Sequence, residues 1–325
     1  MNTLEPTIDA YLDKFLIPAE KIWQPSDLLP DPRSPEFFDK IEEIRELCKE
    51  MDYDLWVTLV ADTITEEALP TYESWLVDVV GIDQHNKRED GEENGWVKWV
   101  RAWTAEENRH GDVLNKYLYL SGRVDMKEIE ITTQYLIADG FDIGTGRDPY
   151  KNFVYTSFQE LATNISHKRV GQLAQKTGNQ PLAKMCKIIA GDEMRHYLAY
   201  REFVKVIFDY DPSEMMVAFS DMMKRKIVMP AQFMRETGSK IGEAFTLFSA
   251  AAQRIGVYTS LDYIEIMNKL IKYWDIANLS ALTDEGEKAR DYVMSLPGRL
   301  TRIADRLTYD NSQYRFSWVK PNGAM

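Results

Sequence analysis

The sequence predicts an all-α protein. Through most of the chain, apolar residues recur every three or four positions, as one face of a helix requires. Strict alternation and hairpin turn pairs are scarce, which argues against strands. The periodicity breaks at three proline-, glycine- or charge-rich stretches: QPSDLLPDPRSPE (24–36), GIDQHNKREDGEENG (81–95) and GFDIGTGRDPY (140–150). Taken in order, residues 1–35 are expected to form an extended N-terminal segment. Helices are expected at about 36–50, 52–80, 96–121, 127–139, 149–178, 180–208, 213–236 and 241–256, with more in the last 70 residues. GTGRDP is no phosphate loop, because it lacks the Lys-Ser/Thr ending and a preceding strand. A single domain over 1–325 is expected, with a core at about 52–208 and additional helices and a tail at 209–325.

Composition narrows the classes. Of the 325 residues, 44% are hydrophobic and 12% aromatic, which supports a large packed interior and not a disordered chain. The net charge of −13 argues against nucleic acid or an anionic membrane surface as partner. No apolar run approaches the ~18 residues of a spanning helix, so membrane insertion is not expected. The first residues, MNTLEPTIDAYLDKF, lack the basic-then-apolar layout of a signal peptide. A cytoplasmic location is expected, or the plastid stroma for a mature plant form. Cys48 and Cys186 lie far apart in helical patterns and read as reduced core residues.

Two helical stripes carry groups that do not belong in a packing face. One reads Trp96, Trp99, Val100, Trp103, Glu107, His110, Leu114, Tyr117; the other reads Leu182, Cys186, Ile189, Glu193, His196, Tyr200, Phe203. A buried carboxylate costs several kcal/mol unless paired or bound to a metal. Only four histidines occur, and two of them close a Glu-x-Arg-His tetrapeptide on such a stripe. One Glu-x-x-His is a weak signal, but two copies in register point to a metal. Glu-x-x-His from two helices is half of the di-iron carboxylate pattern of helical bundles; the other half is one glutamate from each of two more helices. Glu66 follows Trp56, Leu59 and Thr63 on one face, and Glu160 follows Phe153 and Thr156, with Thr163 just beyond. Either glutamate alone reads equally as a solvated surface residue; beside both histidine motifs the metal role is favoured. Four carboxylates balance two ferrous ions, and a thiolate-free set suits iron or manganese better than structural zinc. Asp192 would point off its stripe, either toward a ligand histidine's second nitrogen or, as an ordinary surface aspartate, into solvent.

RAWTAEENRHGDVLNKYLYLSGRVDM (101–126), ITEEALPTYESW (64–75), YTSFQELATNISH (155–167) and AGDEMRH (190–196) resemble the soluble acyl-acyl-carrier-protein desaturase family. So do WQPSDLLPDP (23–32), FSDMMKRKIVMPA (219–231) and AAQRIGVYTSLDY (251–263), so the likeness covers nearly the whole chain. The resemblance, of the stearoyl 9-desaturase type, implies a homodimer with a ferritin-like di-iron four-helix core inside a larger helical bundle. It implies two iron ions bridged by Glu107 and Glu193. Glu66 and His110 would complete one site, and Glu160 and His196 the other. It further implies a chain from His110 through Asp192 to Trp23 as an electron route, and Thr163 over the oxygen-binding side.

The implied reaction places a cis double bond in a saturated acyl chain carried on acyl carrier protein. Four electrons reduce O2 to water, two from the substrate and two from a ferredoxin. A ferritin-like ferroxidase is a rival of a different class, but residues 197–325 exceed what a bare four-helix bundle needs. A ribonucleotide-reductase small subunit needs a radical tyrosine that nothing in sequence order marks. Two weaker expectations concern recognition. Lys224, Arg225 and Lys226, with Lys21 and Arg195, form a candidate docking patch for an acidic carrier protein; a solvated helix face is the other reading. Met194 stands where a basic residue is expected from the family, which weakens the share of that turn. Trp75, about 13 Å along the helix from Glu66, is a candidate limit on chain length, with Val79, Ile143, Thr145 and Phe153 near the end of the acyl pocket. Plain core packing is its other reading.

Overall fold

Aspartate, asparagine and proline set where the long helices begin. The Asp125 carboxylate accepts from the N–H groups of Lys127 and Glu128, Asp148 from Tyr150 and Lys151, Asn179 from Leu182, and Asp211 from Glu214. Pro149, Pro181 and Pro212 occupy first turns, where an amide hydrogen is not needed. In the computed structural model, residues 1–82, 87–88, 90–306 and 312–320 are described, the side chains of Glu73 and Trp75 excepted. Among the described residues there are twelve α-helices and no strand, only two isolated bridges, Lys87 with Glu93 and Val124 with Val319. The helices are α1 (Glu5–Phe15), α2 (Phe37–Leu47), α3 (Tyr53–Glu67), α4 (Leu69–Leu76), α5 (Gly95–Ser121) and α6 (Met126–Asp139). They continue with α7 (Pro149–Lys176), α8 (Gln180–Tyr210), α9 (Pro212–Arg225), α10 (Glu243–Arg254), α11 (Ser260–Tyr273) and α12 (Asp284–Ala304).

Three expectations are corrected. The first 35 residues are not all extended: α1 buries Ile8 and Phe15, seven positions apart on one helical face, with Pro6 in its first turn. The helix expected at 52–80 breaks at Ala68 into α3 and α4. Pro70 has no N–H to pair with the Glu66 carbonyl, and its ring crowds that carbonyl, which favours the break seen there. The helix expected at 213–236 stops at Arg225. Lys226 takes φ +66°, and Met229 is extended ahead of Pro230, as a residue before proline prefers.

Helices α3, α5, α7 and α8 make the central bundle, with α7 against α8, α3 against α5, and the cross-pairs α3–α7 and α5–α8 also touching. Two of them are buried on every side: residues 54–61 of α3 and 152–162 of α7 are all out of solvent. Around this bundle, α1 packs on α5 and α8, α10 on α3, and α9 on α7 and α12. Among the described side chains six tryptophans are fully buried, Trp96, Trp99 and Trp103 along one face of α5. Cys48 and Cys186 are buried and unpaired, as expected. Arg254 on α10 clasps the Asp54 carboxylate of α3 with bonds of 2.8 and 3.0 Å.

One glycine sets the closest approach in the bundle. A Cβ on Gly111 of α5 would lie 2.8 Å from Glu67 Oε1 and 3.1 Å from both the Glu66 carbonyl carbon and the Glu67 nitrogen. Backbone cannot yield as a side-chain tip can, so a methyl group here must push the last turn of α3 outward. Gly111→Ala is therefore expected to cost about 1–3 kcal/mol of stability through overpacking, read from urea denaturation. An unchanged transition midpoint would contradict this close contact.

Candidate metal centre

Each helix of the bundle sends acidic or imidazole groups to one point. Glu66 comes from the last turn of α3, Glu107 and His110 from the middle of α5, Glu160 from α7, and Glu193 and His196 from α8. Ligand-type atoms of Glu66, Glu107, His110 and Glu193 lie within 4.8 Å of one another, and so do those of Glu107, Glu160, Glu193 and His196. All six sequence-singled residues thus converge, and Glu107 and Glu193 belong to both groups. His110 Nδ1 is 3.2 Å from Glu107 Oε2, 3.3 Å from Glu193 Oε1 and 3.8 Å from Glu66 Oε2. His196 Nδ1 is 2.6 Å from Glu107 Oε1 and 3.5 Å from Glu160 Oε2.

The donor set fits metal cations. Glu107 Oε1, Glu160 Oε2, His110 Nδ1 and His196 Nδ1 are buried without a hydrogen-bond partner, and all belong to these two groups. Burial and the Glu107 charge hold the Glu160 carboxyl well above its usual range, and burial raises Glu193 as well. Burial, the largest single effect, presses both imidazoles toward the neutral form, but the Glu107 charge and hydrogen bonds to the surrounding carboxylates together outweigh it and raise their pKa values. Without metal, raised imidazole and carboxyl pKa values offset the charge of the four inner carboxylates; two divalent cations placed between them would take over that role.

The histidines' outer nitrogens are held by carboxylates. His110 Nε2 is 3.4 Å from Asp192 Oδ2, which also accepts the Trp23 indole N–H at 2.8 Å. The Trp23 ring stacks on His110 with planes 5° apart. The neighbouring cations and hydrogen bonds keep Asp192 well below the usual carboxylate range despite its burial. Asp192 therefore faces the histidine, not solvent. Thr163 donates to Glu193 Oε2 at 2.7 Å.

Sequence reasoning missed two partners. Glu106 Oε2 lies 2.8 Å from His196 Nε2, the counterpart of Asp192 at the other histidine. Its signal was available: an acid precedes the glutamate in both EENRH and DEMRH. His167 Nε2 lies 2.8 Å from Glu66 Oε1; it falls one turn after Thr163, but no repeat marks it. One docking expectation is corrected: Arg195 is not free at the surface, because Glu106, Asp192 and the Phe15 carbonyl occupy its guanidinium. Lys21, Lys224, Arg225 and Lys226 are exposed. The Trp75 side chain lies outside the described residues, while Val79, Ile143, Thr145 and Phe153 are all buried.

An apolar cavity of about 280 Å³ reaches the cluster. Phe158, Ala162, Ile227, Phe245, Phe248 and Ala252 are among its walls, and Thr65, Glu66 and Thr163 lie at one end. Those three residues also line a much smaller hollow with Tyr72, Trp103, Glu107 and Glu193, which therefore adjoins the cavity at the carboxylates. Its shape and lining suit a long apolar chain.

The model of a fatty acid desaturase family matches residues 1–320. The chain belongs to that family. A chloroplastic stearoyl-[acyl-carrier-protein] 9-desaturase of Spinacia oleracea is 50% identical over 98% of this chain and 79% of its own length. A chloroplastic palmitoyl-[acyl-carrier-protein] 4-desaturase 3 of Ophrys sphegodes is 47% identical over 96% of this chain and 79% of its own. The X-ray structure of DesA2 from Mycobacterium tuberculosis H37Rv matches in fold, with a TM-score of 0.51, 19% identity, and coverage of 88% of this chain and 97% of that one. Among the described residues no helix is long and apolar enough to cross a membrane.

The α10 wall of the cavity supplies a test. Ala252 on α10 is 4% exposed and lines the cavity. Ala252→Phe is expected to fill it and to weaken binding of a long-chain acyl probe at least tenfold, with metal content unchanged. Equal binding by calorimetry would show that the chain does not enter here.

Proposed function

We propose that the chain is an acyl-[acyl-carrier-protein] desaturase. It would place a cis double bond in a saturated acyl chain, using O2, two iron ions and electrons from a ferredoxin. One observation carries this reading: an apolar cavity that reaches a four-carboxylate, two-histidine cluster at Glu66. A ferroxidase needs the cluster but not the cavity. The names of the relatives support acyl carrier protein as the substrate carrier and include two bond positions, 9 and 4; the 9 position is our assignment.

Glu66, Glu107, His110, Glu160, Glu193 and His196 would hold the metals, with Glu107 and Glu193 placed to serve both. When bound, the irons would supply O2 activation and oxidation of an unactivated C–H bond, which side chains alone cannot perform. The residues of the chain do the rest. The phenyl rings and alkyl groups of the cavity hold the acyl chain and exclude water. Thr163 keeps its hydroxyl proton on Glu193 Oε2 at the inner end of the cavity. The hydrogen-bonded line from Trp23 through Asp192 to His110 is suited to pass electrons inward, because Trp23 is half-buried at its outer end. Two electrons from ferredoxin and two from the methylene pair, with two protons from solvent and two from the substrate, account for O2 becoming two waters. Lys224, Arg225 and Lys226, with Lys21, offer local positive charge on a chain of net −13 for an acidic carrier protein. We further propose a single-domain homodimer, in the cytoplasm or plastid stroma.

Purified with iron, the protein is expected to hold about two irons per chain, and Glu107→Ala or His196→Ala to lose most of them. Zinc in place of iron, or full iron in both variants, would contradict the ligand assignment. Mass spectrometry of the product from stearoyl-acyl carrier protein is expected to show one new double bond at carbon 9; an unchanged acyl chain under full reduction would overturn the desaturase reading. Asp192→Asn is expected to slow reduction by ferredoxin more than it lowers iron content. Stopped-flow reduction at the wild-type rate would remove Asp192 from the electron route.

A further inference from the structure

Two pentapeptides share one layout. Glu106-Glu107-Asn108-Arg109-His110 on α5 and Asp192-Glu193-Met194-Arg195-His196 on α8 each run acid, glutamate, spacer, arginine, histidine. In the fold each pentapeptide grips the leading acid of the other. His196 Nε2 meets Glu106 Oε2 at 2.8 Å, and His110 Nε2 meets Asp192 Oδ2 at 3.4 Å. The arginines follow the histidines: Arg195 Nη1 donates to Glu106 Oε2 at 2.6 Å, and Arg109 Nη2 to Asp192 Oδ2 at 3.2 Å. Arg195 alone reaches both acids, through a second bond from Nη2 to Asp192 Oδ1 at 2.8 Å.

The chain between α1 and Pro25 closes this clasp at both ends. Arg195 Nη1 donates to the Phe15 carbonyl at 2.7 Å, and Glu106 Oε1 accepts the Ile17 N–H at 3.1 Å. At the other end Arg109 Nη1 donates to the Trp23 carbonyl at 2.7 Å, and the Trp23 indole donates to Asp192. Two acids and two guanidinium groups neutralise one another here, so this outer layer leaves the charge of the inner four carboxylates untouched. Charge-assisted bonds of this kind are stronger and more directional than neutral ones.

We propose that Glu106 and Arg195 are positioning residues for His196, as Asp192 and Arg109 are for His110, and that Arg195 couples the two halves by bonding both outer acids. A carboxylate at Nε2 keeps the proton on that nitrogen and the lone pair on Nδ1, facing Glu107 and Glu160. Remove the acceptor and the ring is free to rotate or to carry its proton on Nδ1, where a metal would have to bind. The ends differ in what lies beyond them. Asp192 leads to an indole, whereas Glu106 leads to a backbone N–H, so Glu106 serves ligand geometry and not electron entry.

This inference rests on the two-metal reading, and the test separates the two. Cobalt(II) is titrated into metal-free, full-length protein, and ligand-field absorbance is followed. Wild type taking up fewer than two equivalents would overturn the two-metal reading itself, and with it this inference. With two equivalents in wild type, Glu106→Ala is expected to weaken one step by about 10–100-fold and to leave the other in place. Arg195→Gln is expected to weaken both. Glu106→Gln keeps an oxygen for His196 and is expected to lose less than Glu106→Ala, again at one step only. Should Glu106→Ala fail to fold, the glutamine variant carries the test. Both steps at wild-type affinity in the Glu106 variants, or equal weakening of both, would overturn the assignment of Glu106 to His196. An Arg195→Gln protein with only one step altered would overturn the coupling.

Discussion

Four carboxylates meet inside this helical bundle, and the rest of the structure is arranged around that cost. At the low effective dielectric of a protein interior, like charges a few ångströms apart repel by several kcal/mol per pair. Glu66, Glu107, Glu160 and Glu193 are brought together from four different helices, so no local adjustment of one helix can separate them. Folding forces the encounter, and positive charge must offset it. The two histidines present unpartnered nitrogens inward and hand their outer nitrogens to Asp192 and Glu106. Those acids are in turn neutralised by Arg109 and Arg195. The outer layer is thus neutralised by fixed arginines, whereas the inner one holds its charge in check only by taking up protons, which two divalent cations could displace.

The same helices that supply the acids shape the cavity. Thr65 and Glu66 end α3 where Pro70 breaks it, and Ala162 and Thr163 face the same space from α7. A long apolar ligand in this space would lie beside Glu66, next to the smaller hollow lined by Tyr72, Trp103, Glu107 and Glu193. Phe245, Phe248 and Ala252 of α10 line the same cavity, and the clasp of α10 to α3 through Arg254 and Asp54 holds that wall in place.

Much of the centre was legible because helical periodicity is a strong local signal. Glu107, His110, Glu193 and His196 stood out as polar groups on apolar stripes, and Glu66 and Glu160 as the acids that completed the set. The partners legible only in three dimensions were those joined across long separations. Glu106 is adjacent to a ligand and so falls off its own stripe; its contact with His196 crosses 90 residues. His167 meets Glu66 across 101 residues, and Trp23 meets Asp192 across 169; the second of these pairings was reached through family resemblance and not through spacing. The helix at 52–80 was overextended because its apolar pattern runs past Pro70, and pattern alone does not register a missing amide hydrogen. Residues 1–35 looked extended because prolines dominate 24–36, although Ile8 and Phe15 already lay at helical spacing.

Diffraction from iron-loaded crystals at energies on either side of the iron absorption edge tests the two-metal centre most directly, since it locates the ions without reference to activity. Two anomalous peaks are expected, one among Glu66, Glu107, His110 and Glu193 and one among Glu107, Glu160, Glu193 and His196. A single peak, or iron located away from these six side chains, would contradict the centre.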